Sequence, residues 1–424
     1  MKKKLIILQI NEVNFDLVEK YISKGYLPNF KYYLNNFNFF ETSSEEKYEN
    51  LEPWIQWVSF YSGKNFSEHK VSHLNDFDEN KWNFLKELEF KYNKKLALLF
   101  PMNLKNSFSK NSFFLPDPWT ETSVNADKST KKIFYIFKKI ILENADNNIK
   151  FSDLLSILNF SFLKTSINFK FFIIKNFLKI IKYKFYKAII FDYLCWEIFK
   201  SLRKQKDYDI FSLFLNSCAH IQHHYFLNSS VETFMKKNPY WYIANVDPIL
   251  ECLKSYDNFL GEFKKDKNIE FLIITGLSQI PINNPVFYYN LKDHNEFFKK
   301  IGISFTKIIK RMSRDYTLYF DNKEDITNAE NKISSIKLNK QNIFSLKINE
   351  NRAYVELIYD KEIKKDDFIN IDSQKLNLKE NVNFIAIKNS IHNQKGYLIT
   401  SIKDYKEPIK IWDVHKKILN KYEA

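Results

Sequence analysis

Leu5–Ile10, Leu96–Phe100, Tyr208–Leu215 and Glu270–Thr275 are short runs dominated by apolar residues, without the alternation of a half-exposed strand. Such runs mark strands buried on both faces, which occur in parallel sheets covered by helices. Between them lie longer segments with helical start and stop signals. Asp16–Lys24 ends at Gly25, with Leu27-Pro28 leaving it, and Pro248–Phe263 opens on a proline. The arrangement predicts an α/β fold with a mostly parallel central sheet flanked by helices. In such sheets ligands bind beyond the carboxyl ends of the strands. The polar residues that end each run are therefore the first place to look for chemistry.

Asn11 and Glu12 follow the first run, Asn216 the third, and Gly276-Leu277-Ser278-Gln279 the last. Beyond Asn216 stand His220, His223 and His224, three of the chain's eight histidines. If Ala219–Phe226 is helical, His220 and His224 share a face and His223 lies beside them. Imidazoles just past a buried strand suit metal binding or proton transfer; packing among the neighbouring aromatics is the alternative. Asn11 and Glu12 can likewise be site residues, or an Asn turn with a carboxylate complementing the next helix's dipole. Glu52 precedes Pro53 at a helix start, Gly63 closes that helix, and His69 and His73 follow in a loop. Phe114–Trp119 is a two-proline loop that holds Asp117 in extended or turn geometry.

A chain of 424 residues can bury a large core in two or three units, and 45% hydrophobic content excludes disorder. Six glycines, with neither GxGxxG nor GxxxxGK[ST], remove the support for a dinucleotide or P-loop site. A net charge of +15 suits an anionic partner, but the lysines are spread and no nucleic-acid-binding signature accompanies them. An anionic small molecule or glycan is expected, and no nucleic acid. Cys195, Cys218 and Cys252 form no CxxC, which points to a reducing, cytoplasmic compartment. Leu5–Ile10 is too short for a signal peptide, and no apolar stretch of transmembrane length is seen.

The chain divides by pattern into core α/β segments at 1–130, 206–300 and 381–424. Residues 131–205 are apolar at helical spacing with lysines between, an all-helical insertion. It either caps the core or presents a basic amphipathic face in peripheral contact with a membrane. Residues 301–380 alternate short strands with a helix, which predicts a small α+β subdomain.

Taken in order, these segments resemble the alkaline phosphatase superfamily, in particular its type I phosphodiesterase/nucleotide pyrophosphatase branch. NEVNFDLVEKYISKGYLPNF resembles the opening strand, metal-ligand position, helix and GxLPN of that family. WVSFYSGKNFSEHKV resembles the segment after its nucleophile, and NSCAHIQHHYF its DxxxH metal motif. EFLIITGLSQIP lies where the family has a strand ending in SDHG, and HNQKGYLI resembles its late HxxxG element. The departures are specific. The first Asp becomes Asn11 or Glu12, and the nucleophile position falls near Glu52-Pro53-Trp54, with no Ser or Thr. The Asp of DxxxH becomes Asn216, and DHG becomes Gly276-Leu277-Ser278.

By this resemblance His220 and His392 are metal ligands that should meet in space, joined by His223, His224 or Glu12. That set supports one divalent metal, with Zn²⁺ best suited to it, and not the two metals of the family's usual chemistry. Glu12 and Glu52 are candidate base or nucleophile, His223 and His224 candidate acids, and Asn11, Asn216, Ser278 and Gln279 candidate substrate contacts. Burial beside Trp54 and Trp57 would raise a carboxylate's pKa, and a nearby cation would lower it. Two readings remain: a hydrolase or transferase for phosphate esters or nucleotide-activated sugars, in cell-envelope glycan assembly, or a degenerate member that binds an anionic ligand.

Overall fold

Eight strands form the main sheet, in the order Ile409–Lys410, β2 (Asn38–Ser43), Lys395–Thr400, β6 (Ile269–Ile274), β1 (Lys4–Ile10), β5 (Ile210–Leu215), β3 (Leu96–Leu99) and β4 (Phe113–Leu115). The computed structural model describes residues 3–423, apart from 79, 143–150, 206, 233–242, 244, 265, 312–313, 372–373 and 404. Strands β6, β1, β5, β3 and β4 run parallel, each to its neighbour. Lys395–Thr400 is antiparallel to both β6 and β2. This is the mostly parallel, helix-flanked α/β sheet that the apolar runs predict.

Burial explains why the central strands were legible. Every residue of β3 and β5 is buried, and so is all of β1 after Lys4. The helix Tyr186–Gln205 packs against β5. Its Trp196 stacks on Phe259 of the helix Pro248–Phe263, with ring centroids 4.6 Å apart. Two strands carry no such signal. β4 is three residues at the sheet's end, overlapping the start of the two-proline loop Phe114–Trp119, and β2 mixes exposed, half-buried and buried positions. Their conformation follows from pairing with a neighbour rather than from local pattern.

The described part of residues 131–205 is four helices, Lys128–Leu142, Phe151–Lys164, Ile167–Lys182 and Tyr186–Gln205, with short connections at 165–166 and 183–185; 143–150 lie outside the described residues. A second compact unit, Asn283–Asn389, is α+β. Its four-stranded antiparallel sheet runs in the order Phe344–Asn349, Arg352–Leu357, Asp315–Tyr319, Lys307–Lys310. Phe297, Phe298, Leu318, Ile333, Phe344 and Val355 are buried in its core.

His69 is structural. It ends a single helical turn, Phe66–His69, that Asn65 and Glu68 close with a capping box. Its Nδ1 accepts the Val71 amide at 3.0 Å, so the proton sits on Nε2 and is donated to Ser59 Oγ at 3.0 Å. Burial, reinforced by Lys81 and Lys64, depresses its pKa from 6.5 to about 4. The unfolded chain therefore binds one more proton than the fold between these values, and stability falls as pH drops through that window. Thermal unfolding between pH 7 and pH 4 should show wild type losing about 2–3 kcal/mol more than His69→Gln. Parallel losses in the two proteins would refute the assignment.

Candidate metal centre

The strands deliver the site. β1, β5 and β6 end at one edge of the sheet, and the antiparallel Lys395–Thr400 begins at that edge, so the residues just before it arrive there too. Asn11 and Glu12 extend the β1 backbone pairing, their amides donating to Leu215 and Thr275 carbonyls at 3.0 Å each. Glu12 then turns with φ of 58°, a left-handed conformation that costs a non-glycine residue about 1 kcal/mol or more. Gln222 fastens the turn, donating to the Glu12 carbonyl at 2.7 Å and accepting the Asn14 amide at 3.2 Å.

Three ligand atoms converge. Glu12 Oε2 lies 3.2 Å from His223 Nε2 and 3.2 Å from His392 Nε2, and the two nitrogens are 3.3 Å apart. A tetrahedral ion with bonds of about 2.0–2.1 Å has ligand–ligand edges of about 3.3–3.4 Å. The observed triangle fits one face of such a tetrahedron, leaving its fourth position to water or substrate. Among the described residues this is the group of ligand side chains spaced to hold an ion. Two imidazole nitrogens and a carboxylate oxygen are a donor set suited to Zn²⁺.

The surrounding hydrogen bonds fix the ring orientations. His223 Nδ1 lies 3.5 Å from Ser390 Oγ, whose hydroxyl donates to Gln279 Oε1 at 2.6 Å. A neutral His223 that carries its proton on Nδ1 toward Ser390 would leave the Nε2 lone pair for the ion. Gln279 Nε2 donates in turn to the Ala219 carbonyl at 3.0 Å and to Glu12 Oε2. Asn11 Nδ2 donates to Glu12 Oε1 at 2.9 Å. On the other side His392 Nδ1 faces Glu52 Oε2 at 3.7 Å. Ligating imidazoles backed by a hydroxyl and a carboxylate are the usual second layer of a metal site.

Glu12 is held as a carboxylate. Burial would raise its pKa, but His392 and His223 outweigh it and keep the group well below the ordinary carboxylate range. The rise expected from burial beside tryptophan is thus reversed for Glu12.

Asn11 and Asn216 are engaged with one another. Asn11 Nδ2 donates to Asn216 Oδ1 at 2.8 Å, and Asn11 Oδ1 accepts from Trp57 Nε1 at 2.8 Å. The Trp57 indole fills the space beneath, where a Cβ on Gly276, at φ of 75°, would approach the ring to 3.0 Å. An amide network and a tryptophan therefore stand on this side of Glu12, and both amide oxygens already accept hydrogen bonds. Ser217 anchors the helix Ser217–Tyr225 to buried Asp192, which accepts from its amide at 2.8 Å and its hydroxyl at 2.6 Å.

The expected pairing of His220 with His392 is corrected by this geometry: the imidazole that meets His392 is His223. His220 is exposed and contacts His224 edge-on, with centroids 4.9 Å apart, the i,i+4 relation expected of them. Rotation about the helix axis separates His220 from His223, and the buried face of Cys218, Ile221, Gln222 and Tyr225 decides which one points inward. Glu52 occupies the N-cap of the helix Pro53–Ser62, yet its side chain makes no capping hydrogen bond. Ser278 is buried and its Oγ has no hydrogen-bond partner among the described residues. Gln222, Ser390 and the bonding role of Trp57 are not among the residues expected from the sequence. Ser390 stands two before His392 in the strand Val382–Asn393, and that spacing puts both on one face.

Neither a family profile nor a curated protein matches the sequence. Solved structures do match in fold. Phosphonoacetate hydrolase from Sinorhizobium meliloti is 10% identical with a TM-score of 0.47, over 100% of this chain and 96% of that one. Murine ectonucleotide pyrophosphatase/phosphodiesterase 5 is 7% identical with a TM-score of 0.42, over 100% and 95%. A wild-type alkaline phosphatase is 11% identical with a TM-score of 0.45, over 98% and 94%. The likeness is a distant one, of fold alone.

Proposed function

We propose that this protein is a single-metal hydrolase or transferase acting on a phosphate ester or nucleotide-activated sugar. The observation that carries the proposal is the triangle of Glu12, His223 and His392, with separations of 3.2, 3.2 and 3.3 Å. Zn²⁺ held there would act as a Lewis acid toward a phosphoryl oxygen and would acidify water. Glu12 is buried and committed to the ligand set, so it is not the base. Glu52, with 37% of its side chain exposed, stands beside His392 and takes the proton of the attacking water or hydroxyl. As the new P–O bond forms, the bond to the leaving oxygen breaks, and solvent water, rather than His224 on the His220 side of its helix, returns a proton to that oxygen. The net charge of +15 favours an anionic substrate. Cell-envelope glycan assembly is a setting whose sugar nucleotides have this character. Three buried, unpaired cysteines suit a reducing, cytoplasmic compartment.

The engaged amides of Asn11 and Asn216 favour a second reading, a catalytically silent protein that binds an anionic ligand. Two measurements separate them: metal content after purification without chelator, and hydrolysis of mono- and diesters of p-nitrophenyl phosphate. About one zinc per chain with turnover supports the enzyme. Zinc without turnover on these esters or on sugar nucleotides supports the binding protein, and no metal at all would sink the site assignment.

A further inference from the structure

The helix Ile167–Lys182 has two faces with different fates. Phe169 and Asn176 are buried, and Phe169 and Phe172 pack on Tyr193 of the helix Tyr186–Gln205, with centroids 5.3 and 4.6 Å away. On the opposite side Ile167, Phe171, Ile174, Leu178 and Ile181 follow one another at spacings of four and three residues, forming a single stripe. All five are exposed, Ile174 by 71% and Leu178 by 79%. The preceding helix Phe151–Lys164 adds exposed Leu155, Leu158 and Phe162, and the Lys170 ammonium lies 4.9 Å over the Phe162 ring. An apolar face of this extent on folded chain marks an interaction surface.

Charge identifies the occupant. The helix Ile167–Lys182 carries four lysines and no acidic residue. At 100° per residue, Lys170 falls on one flank of the stripe, and Lys175 and Lys182 on the other. A second copy docked stripe to stripe would set these lysines against lysines, with no carboxylate on the helix to answer them. An anionic bilayer answers both features: acyl chains receive the apolar stripe and headgroups meet the lysines. No helix among the described residues is long and apolar enough to cross a membrane, so the contact is with the surface. We propose that the exposed stripe of Ile167–Lys182, with its lysine flanks, docks this protein on an anionic lipid surface. The proposal is independent of the metal centre.

Vesicle flotation tests it, with full-length protein and vesicles of phosphatidylcholine alone or of equal parts phosphatidylcholine and phosphatidylglycerol. Wild type should float with the anionic vesicles and much less with the neutral ones. Ile174→Asp with Leu178→Asp should weaken partitioning by on the order of 100-fold. Lys175→Gln and Lys182→Gln should each weaken it by roughly fivefold. All four positions are exposed, so circular dichroism and metal content should stay as in wild type. Equal binding to both vesicle types, or no binding to either, overturns the proposal. So does dimerisation in vesicle-free sedimentation that the two aspartates abolish, which would assign the stripe to a second copy.

Discussion

Glu12→Gln is expected to purify without metal and to lose activity by several orders of magnitude while still folding. The substitution keeps the shape of the side chain and removes the one anionic ligand. Its cost to the fold is definable. The native carboxylate accepts from Asn11 at Oε1 and from Gln279 at Oε2, whereas a glutamine offers one oxygen to these two donors. One buried donor then loses its acceptor, at about 1–3 kcal/mol. The informative readout is the melting temperature with and without added Zn²⁺. A ligand at a hundred times its dissociation constant stabilises by about 2.7 kcal/mol, so wild type should shift and the variant should not. An unchanged zinc-dependent shift in Glu12→Gln would remove Glu12 from the ligand set, whatever happens to activity.

The second large effect is expected at Glu52. Its carboxylate faces His392 Nδ1 at 3.7 Å and is partly open to solvent, while the helix behind it takes no cap from the side chain. Glu52→Gln should therefore change stability by less than about 1 kcal/mol. As a general base it should lower kcat by about 10²–10⁴ and abolish the acid limb of the pH–rate profile. If Glu52 only orients His392, metal affinity should fall by about 10–100-fold and the pH profile should keep its shape. Zinc titration and the pH profile together distinguish the two roles. Full activity with unaltered metal affinity would show that Glu52 serves neither.

The edge of the sheet that carries the site was readable from residues alone. β1 after Lys4, β5, and β6 from Phe271 on are buried on both faces, so their apolar runs needed no partner to be recognised. The polar residues that end them, Asn11, Glu12, Asn216 and Gln279, had to lie at the carboxyl edge. The strand at one end of the sheet, β4, and the second strand from the other end, β2, were not readable in this way. β2 and β4 acquire their conformation from hydrogen bonds to distant neighbours, and their own residues carry no periodic signal.

The ligand set lay further out of reach. Composition and spacing placed imidazoles beyond β5, but His220, His223 and His224 differ only in their phase around one helix. That phase is set by how the helix seats its buried side, with Cys218 and Ile221 inward and Gln222 tied to the turn at Glu12. His392 is 169 positions from His223, just ahead of Lys395–Thr400, which enters the sheet against the direction of its neighbours. Local pattern determines which residues are buried and which stand at strand ends, because burial and periodicity are properties of one segment. The triangle of Glu12, His223 and His392 depends on three segments and their crossovers at once, so only the folded chain could bring it together.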